Sequence, residues 1–196
     1  MNHTVEPGPQ HLGATPCIET DHPAVVAFAG ANAQGASARE KAVALYRAVR
    51  DQVRYDPYRI DLSEAGMSAS TVLQQGHGWC VSKAVLLAAA CRAEGIPTRL
   101  GFADVRNHLS TERLRRTLQT DVFVWHGYTD LWIDGRWVKA TPAFNRELTE
   151  RFGLKPLDWD AVGDSIYHPF DLSGRRLQRG QMDGGYGDPV DCHRST

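Results

Sequence analysis

The segment that most constrains the fold is Gly76-His77-Gly78-Trp79-Cys80, which leads directly into an apolar, alanine-rich stretch at 81–93. Two glycines in five residues predict a tight loop, and the stretch after it predicts a buried helix that stops at Gly95. Cys80 is therefore expected in the first helical turn, where the partial positive charge of the helix N-terminus favours a thiolate, the form that attacks carbonyls. Cys80 is either a nucleophile or a small buried residue at a tight junction, and the local sequence leaves both open.

A histidine, His126, lies in the segment Phe123-Val124-Trp125-His126-Gly127-Tyr128, which predicts a strand. A lone histidine in a strand is more often a half-buried structural residue than a catalytic base. Together with a cysteine at a helix start it becomes a candidate general base, able to take the thiol proton and return it to a leaving group. Gly127 has no side chain, and we expect this to leave room beside the imidazole.

The dipeptide Asp134-Gly135 predicts a two-residue hairpin turn between strands at 122–133 and 136–141. In that register Tyr128 pairs with Thr141, which places Thr141 diagonal to His126 on the same face of the sheet. A third group is needed to orient an imidazole that acts as a base. A threonine hydroxyl can accept its hydrogen bond but cannot stabilise an imidazolium as a carboxylate does. Three other polar side chains are alternatives whose distances the sequence leaves open: Asn145, Asp104 and Asp130.

The 196 residues are 42% hydrophobic and carry a formal net charge of -1. This composition predicts one globular domain with a substantial core and gives no support to nucleic acid as a partner. No apolar run is long enough to cross a bilayer, and residues 1–20 lack the apolar region of a secretory signal, so we expect no membrane partner and a cytoplasmic location. The cysteines have no CxxC spacing, and the chain has no phosphate-binding or dinucleotide-binding motif. We therefore expect neither a metal nor a cofactor.

Three parts are predicted along the chain. Residues 1–36, rich in Gly, Pro, Ala and His, are expected to form an arm, residues 37–171 the main domain, with Ser37 capping its first helix, and residues 172–196 a flexible tail. A short helix is expected at 112–119 between two strands. Three arginines of this helix would form a basic patch together with Arg106: Arg113, Arg115 and Arg116. The patch is either a solvated helix face or a docking site for an acidic carrier protein or a phosphate.

As a set, three motifs resemble the core of the transglutaminase-like superfamily over about residues 40–145. They are Gly78-Trp79-Cys80 at a helix start, Gly95-Ile96-Pro97-Thr98-Arg99 after that helix, and His126 followed by Leu131-Trp132-Ile133-Asp134-Gly135-Arg136-Trp137-Val138. The resemblance implies an α+β fold with a papain-like core, in which the nucleophile helix packs on an antiparallel β-sheet. It also implies that 37–171 is a catalytic domain with Cys80 as nucleophile and His126 as base. No calcium site is apparent, which disfavours a calcium-regulated transglutaminase.

The third position departs from the superfamily, which commonly has Asp-Pro where this sequence has Thr141-Pro142. The longer string at 137–145 is similar to a bacterial branch in which Thr-Pro is usual. The resemblance then implies that Thr141 is a variant of the third catalytic residue, with Asn145 or another polar group orienting His126.

An oxyanion hole is also required by this chemistry. The backbone N–H of Cys80 is one expected donor. The second is either the Nε1–H of Trp79 or the amide of a glutamine before the glycine turn. Gln74 is named because papain-like enzymes use a glutamine a few residues before the cysteine.

The expected chemistry is acyl transfer through an acyl-Cys80 thioester, from a small-molecule or carrier-protein-bound acyl substrate. The group that releases the acyl chain decides the function. Water gives a cysteine peptidase or amidase, an amine gives an amine acyltransferase, and an internal carbanion gives a Dieckmann-type cyclisation to a tetramate or pyridone, as in antibiotic biosynthesis. The resemblance extends to bacterial enzymes of the last kind, and the weakened third position fits an activated thioester. A non-catalytic binding module on the same fold is the alternative from a different class.

Overall fold

Residues 5–106 and 122–165 are described by a computed structural model. The predicted helix at 112–119, the side chains of the basic patch and the predicted tail at 172–196 lie outside the described residues. The helices and strands, in chain order, are a 3-10 turn at Pro9–His11, α1 (Pro23–Asn32), α2 (Ala38–Gln52), β1 (Arg54–Tyr55), α3 (Glu64–Met67), α4 (Ala69–Gln75), β2 (His77–Gly78), α5 (Cys80–Ala93), β3 (Thr98–Arg106), β4 (Val122–Ile133), β5 (Arg136–Ala140) and α6 (Arg146–Arg151).

Helix α5 is the centre of the core. Every residue from Cys80 to Arg92 is buried, as expected for a helix that is apolar on all sides. Its small alanines let neighbours approach closely: α1, α2 and α4 contact it, and strands β3 and β4 contact it as well. The hydroxyl of Thr129 on β4 donates a hydrogen bond of 2.8 Å to the carbonyl of Ala84, which fixes the helix on the sheet.

The sheet is antiparallel with the strand order β3-β4-β5, which confirms the predicted packing of a buried helix on such a sheet. The hairpin prediction is also confirmed, because Ile133 pairs with Arg136 across the turn. Asp134 and Gly135 both have positive φ, at 50° and 77°, as a two-residue turn of this type requires. The same register pairs Thr129 with Ala140, so the next position places Thr141 opposite Tyr128.

Helix α2 begins as predicted at Ser37, whose hydroxyl accepts a hydrogen bond from the N–H of Glu40. Its other end is held by a buried lysine of α5. The ammonium of Lys83 donates to the carbonyls of Arg50, at 3.0 Å, and Val53, at 2.6 Å. These bonds satisfy carbonyls that a helix end leaves without partners.

A second, parallel sheet is formed by the two-residue strands β1 and β2. Arg54 pairs with His77, and Tyr55 pairs with Gly78. This pairing places Tyr55 beside the loop that delivers Cys80. Neither strand has a length or an alternation that sequence patterns can detect.

The segment expected to be an arm contributes buried side chains to the core. Cys17, Ile18, Val25 and Ala29 are each 0–1% exposed and belong to the same hydrophobic cluster as α5. This segment packs into the core and is not an arm because α5 needs cover on all sides. Helix α1 covers a side of α5 that the sheet leaves open. The domain limits stay a prediction.

Candidate active site

Cys80 is the first residue of α5, as predicted, and the preceding loop has the backbone that its glycines allow. Gly76 has a positive φ of 65°. A Cβ added at Gly78 would lie 2.7 Å from the hydroxyl of Ser82, so the loop passes too close to the helix for a side chain there. The backbone N–H of Trp79 donates to that same hydroxyl at 3.1 Å, which closes the start of the helix.

Cys80 is 8% exposed, and three backbone N–H groups act on its thiol, those of Gly127, Val81 and Cys80 itself. Burial raises the pKa of the thiol, and the N–H groups oppose that effect without cancelling it. The N–H groups at the start of α5 favour the thiolate, as expected, but burial outweighs them. Removal from water disfavours the charged form more strongly than the nearby N–H groups favour it.

His126 is 6% exposed and immediately precedes Gly127, whose N–H lowers the pKa of the Cys80 thiol. A Cβ at Gly127 would lie 2.8 Å from the Cα of Val81. The absent side chain therefore admits the start of α5, and the expectation that it leaves room beside the imidazole stays a prediction. The close approach brings the strand that carries His126 against the helix turn that carries Cys80.

Thr141 lies just after β5 and is 3% exposed. Its backbone is well fixed: the N–H donates to the carbonyl of Ser165 at 2.9 Å, and the carbonyl accepts from the hydroxyl of Tyr46 at 3.2 Å. Its own hydroxyl is buried and makes no hydrogen bond within the described ranges. The register places Thr141 where a third residue is expected, and its role as that residue stays a prediction.

The structure separates the other candidates for the third role. Asn145 is 7% exposed, and its Oδ1 accepts from the backbone N–H of Tyr55 at 3.2 Å. Asp130 forms an ion pair with Arg99 at 2.8 Å and lies four residues along β4 from His126, or about 13 Å away. Asp130 is therefore too distant to orient the imidazole.

Asp104 is the acidic side chain that the fold brings beside the histidine strand. Its Oδ1 accepts a hydrogen bond of 3.1 Å from the backbone N–H of Trp125, the residue before His126. Sequence spacing alone did not place it there, because the register of β3 and β4 shifts between Ala103 and Val105.

The two side chains named for the oxyanion hole occupy different surroundings. The Nε1–H of Trp79 is buried and has no hydrogen-bond acceptor in the part of the chain that the structure describes. A buried donor without a partner is available to a developing oxyanion. Gln74 is exposed on α4, which does not favour the same role for its amide.

Tyr55 is a residue near the thiol that the sequence analysis did not name. It packs against the small cluster formed by Cys80, Val81 and Ala143, and its ring lies 4.7 Å from that of Phe144. Burial raises the pKa of Tyr55, and a negative charge on Cys80 raises it further. The phenol therefore stays protonated and keeps its O–H. The parallel pairing of β1 with β2 brings Tyr55 to this cluster, and no sequence pattern predicts that pairing.

The described residues contain no group of three or more His, Cys, Asp or Glu side chains placed to hold a metal ion. Over the same residues, no helix has the length and apolar character that crossing a bilayer requires.

A cysteine at the start of a buried central helix, pressed against an antiparallel strand that carries a histidine, defines the class of papain-like α+β thiol folds. A family model confirms this class and identifies a superfamily within it. It matches residues 27–142, more than half of the chain, and the chain belongs to the transglutaminase-like superfamily. The matched range includes Cys80, His126 and Thr141.

No curated protein matches the chain. Among solved structures, it is similar to a Cytophaga hutchinsonii protein provisionally assigned as a cysteine protease, with a TM-score of 0.53 and 18% identity over 71% of this chain and 45% of that one. It is also similar to a Parabacteroides distasonis ATCC 8503 protein provisionally assigned as a protease, with a TM-score of 0.43 and 18% identity over 66% and 24% of the two chains. The chain thus spans less than half the length of either protein, and the first similarity supports the fold.

Proposed function

We propose that the protein is a cysteine-dependent acyl-transfer enzyme that forms an acyl-Cys80 thioester and cyclises the acyl chain. The observation that carries the proposal is the close approach of Gly127 to Val81, which brings the strand of His126 against the helix turn that carries Cys80. The substrate is a small-molecule or carrier-bound acyl thioester.

The first half-reaction transfers the acyl group to the enzyme. His126 removes the proton from the Cys80 thiol as the sulfur attacks the thioester carbonyl, and the carbonyl π electrons move to oxygen. The Nε1–H of Trp79 and the hydroxyl of Tyr55 are the proposed donors to that oxyanion. The oxyanion then collapses, the bond to the departing sulfur breaks, and the imidazolium of His126 protonates that sulfur.

The second half-reaction closes the ring. His126, neutral again after the first half-reaction, removes a proton from the carbon between two carbonyl groups of the bound chain. The resulting carbanion attacks the acyl-Cys80 carbonyl and a carbon–carbon bond forms. The bond from the carbonyl carbon to the Cys80 sulfur then breaks, and the imidazolium of His126 returns the proton to that sulfur. Two features support an internal nucleophile over water. Cys80 and His126 are 8% and 6% exposed, which restricts access of bulk water. The position of Thr141 holds no carboxylate, and a thioester needs less help from an imidazolium pair than an amide does.

The test is incubation with thioesters of N-acetylcysteamine that carry β-ketoamide chains, followed by intact mass measurement. We expect an adduct on the wild-type protein that resolves to a cyclic product, none on Cys80→Ala, and an unchanged adduct on Cys91→Ala, which alters a free, buried cysteine of the same helix. An adduct that resolves only to free acid would show that the enzyme hydrolyses the acyl thioester and does not cyclise the acyl chain. No adduct from any thioester would contradict acyl transfer and favour a binding module.

A further inference from the structure

Trp125 is the most unusual residue beside the candidate active site. It lies in β4 immediately before His126, yet its side chain is 69% exposed. Its φ is 60°, in the left-handed region that residues with a side chain rarely adopt. Strain of this kind persists where the surrounding structure imposes it, and it clusters at functional sites.

Contacts from β3 hold Trp125 in this conformation. The Asp104 carboxylate accepts its N–H at 3.1 Å, at the point where the pairing of β3 with β4 shifts register. The ring of Phe102 meets the indole edge to face, with centroids 5.8 Å apart and planes at 68°. The exposed ring is therefore fixed in position, and the strand is distorted to present it.

The Trp125 ring is connected to the surroundings of Cys80 through the ring of Phe102. Phe102 packs against the cluster that contains Cys80 and Val81, and Trp125 packs against Phe102. The two rings form a continuous apolar surface that runs outward from Cys80, here called the aromatic wall. The Asp104 carboxylate stands at its edge and disfavours an anionic ligand there.

We propose that the aromatic wall binds the acyl chain of the substrate, and that the preferred chain is apolar, uncharged and long enough to lie across the Trp125 ring. This inference rests on the proposed function, because it names the substrate class of the same site. Covering one face of an indole removes on the order of 50 Å² of apolar surface from water, which corresponds to about tenfold in affinity.

The test measures binding to Cys80→Ala, which forms no acyl-enzyme, by isothermal titration with the octanoyl, acetyl and succinyl thioesters of N-acetylcysteamine. We expect the octanoyl thioester to bind about tenfold more tightly than the other two. Adding Trp125→Ala or Trp125→Gly should remove most of that preference, and Trp125→Phe should retain part of it. The glycine variant relieves the positive φ, so it keeps the fold while removing the ring. Trp132→Phe, in the same strand, is the matched control and should leave the preference intact.

Equal affinity for the octanoyl and acetyl thioesters would overturn the inference, as would a preference that survives Trp125→Gly. Failure of the proposed function has a different signature. If the wild-type protein forms no acyl-enzyme but Cys80→Ala still prefers the octanoyl thioester, the aromatic wall stands as a binding site and the proposed acyl transfer is wrong. If acyl-enzyme forms equally well from acetyl and octanoyl donors, acyl transfer stands and the role of the aromatic wall in binding the acyl chain is wrong.

Discussion

At the scale of single residues, Cys80 is the decisive group, and its surroundings oppose ionisation. Burial raises the pKa of the thiol, although nearby backbone N–H groups act to lower it. In the proposed mechanism the nucleophile at rest is therefore the neutral thiol, and His126 removes its proton during attack. This differs from a thiol that is already ionised at rest, and the two cases have different pH dependences.

We expect the rate of Cys80 alkylation by iodoacetamide to be low at neutral pH and to keep rising as the pH passes about 8.5, the ordinary value for a cysteine. The sign follows from the raised pKa, because at any given pH a smaller fraction of the thiol is ionised. The measurement is the modification rate at Cys80, followed by peptide mass spectrometry from pH 5 to pH 10.

Cys91 is the internal control for this experiment. It is fully buried, and burial raises the pKa of its thiol as well, so it should stay unmodified while the protein is folded. A Cys80 rate that is already maximal below pH 7 would contradict the neutral thiol and indicate a thiolate–imidazolium pair at rest.

Tyr55 is expected to assist catalysis through its hydroxyl. Tyr55→Phe keeps the packing against Phe144 but removes the O–H donor, so kcat for thioester turnover should fall by about 10²-fold with little change in KM. Tyr58→Phe is the matched control, since Tyr58 is 49% exposed and close in sequence. If Tyr55→Phe turned over as fast as the wild-type enzyme, the phenol would have no part in stabilising the oxyanion.

At the scale of elements, the contact between β4 and the start of α5 depends on one missing side chain. Gly127→Ala places a Cβ 2.8 Å from the backbone of Val81, and backbone cannot move aside as a flexible side chain can. We expect a loss of about 1–3 kcal/mol in the free energy of unfolding and slower acyl-enzyme formation, because the strand of His126 is pushed from Cys80.

Gly30→Ala is the comparison for this glycine variant. Gly30 lies in α1 with nothing within 4 Å of an added Cβ, so alanine there should stabilise the protein by about 0.5–1 kcal/mol. Urea unfolding measures both changes. Equal effects of the two substitutions would show that the approach of β4 to α5 is not as close as described.

At the scale of the whole molecule, the N-terminal segment is part of the packed structure. Val25→Ala should cost about 1–3 kcal/mol in the free energy of unfolding, since Val25 is fully buried in the cluster around α5. Val26→Ala, at a neighbouring position that is 49% exposed, should change it by less than about 0.5 kcal/mol. Urea unfolding of both variants provides the measurement, and similar values would mean that α1 is not part of the core.

Local patterns in the sequence predicted the helices and the turn whose formation depends on neighbouring residues. The apolar stretch after Cys80 predicted α5, Asp134-Gly135 predicted the hairpin and its register, and Ser37 predicted the start of α2. The family and the α+β fold followed from motifs in these same elements.

The remaining features depend on contacts between distant positions, which no local pattern encodes. Tyr55 reaches the thiol through a two-residue parallel pairing, and the pKa of Cys80 reflects how deeply the folded chain buries it. The strained backbone of Trp125 depends on Asp104 in another strand.

The buried ammonium of Lys83 ties together the elements around Cys80. Lys83 lies one helical turn after Cys80 and bonds to the carbonyls of Arg50 and Val53, next to the strand of Tyr55. Buried hydrogen bonds therefore join the first turn of α5 to the end of α2 and to the residue before β1. The helix of Cys80 and the strand of Tyr55 therefore cannot separate without breaking buried hydrogen bonds, and the bond from Thr129 to Ala84 holds β4 to the same helix.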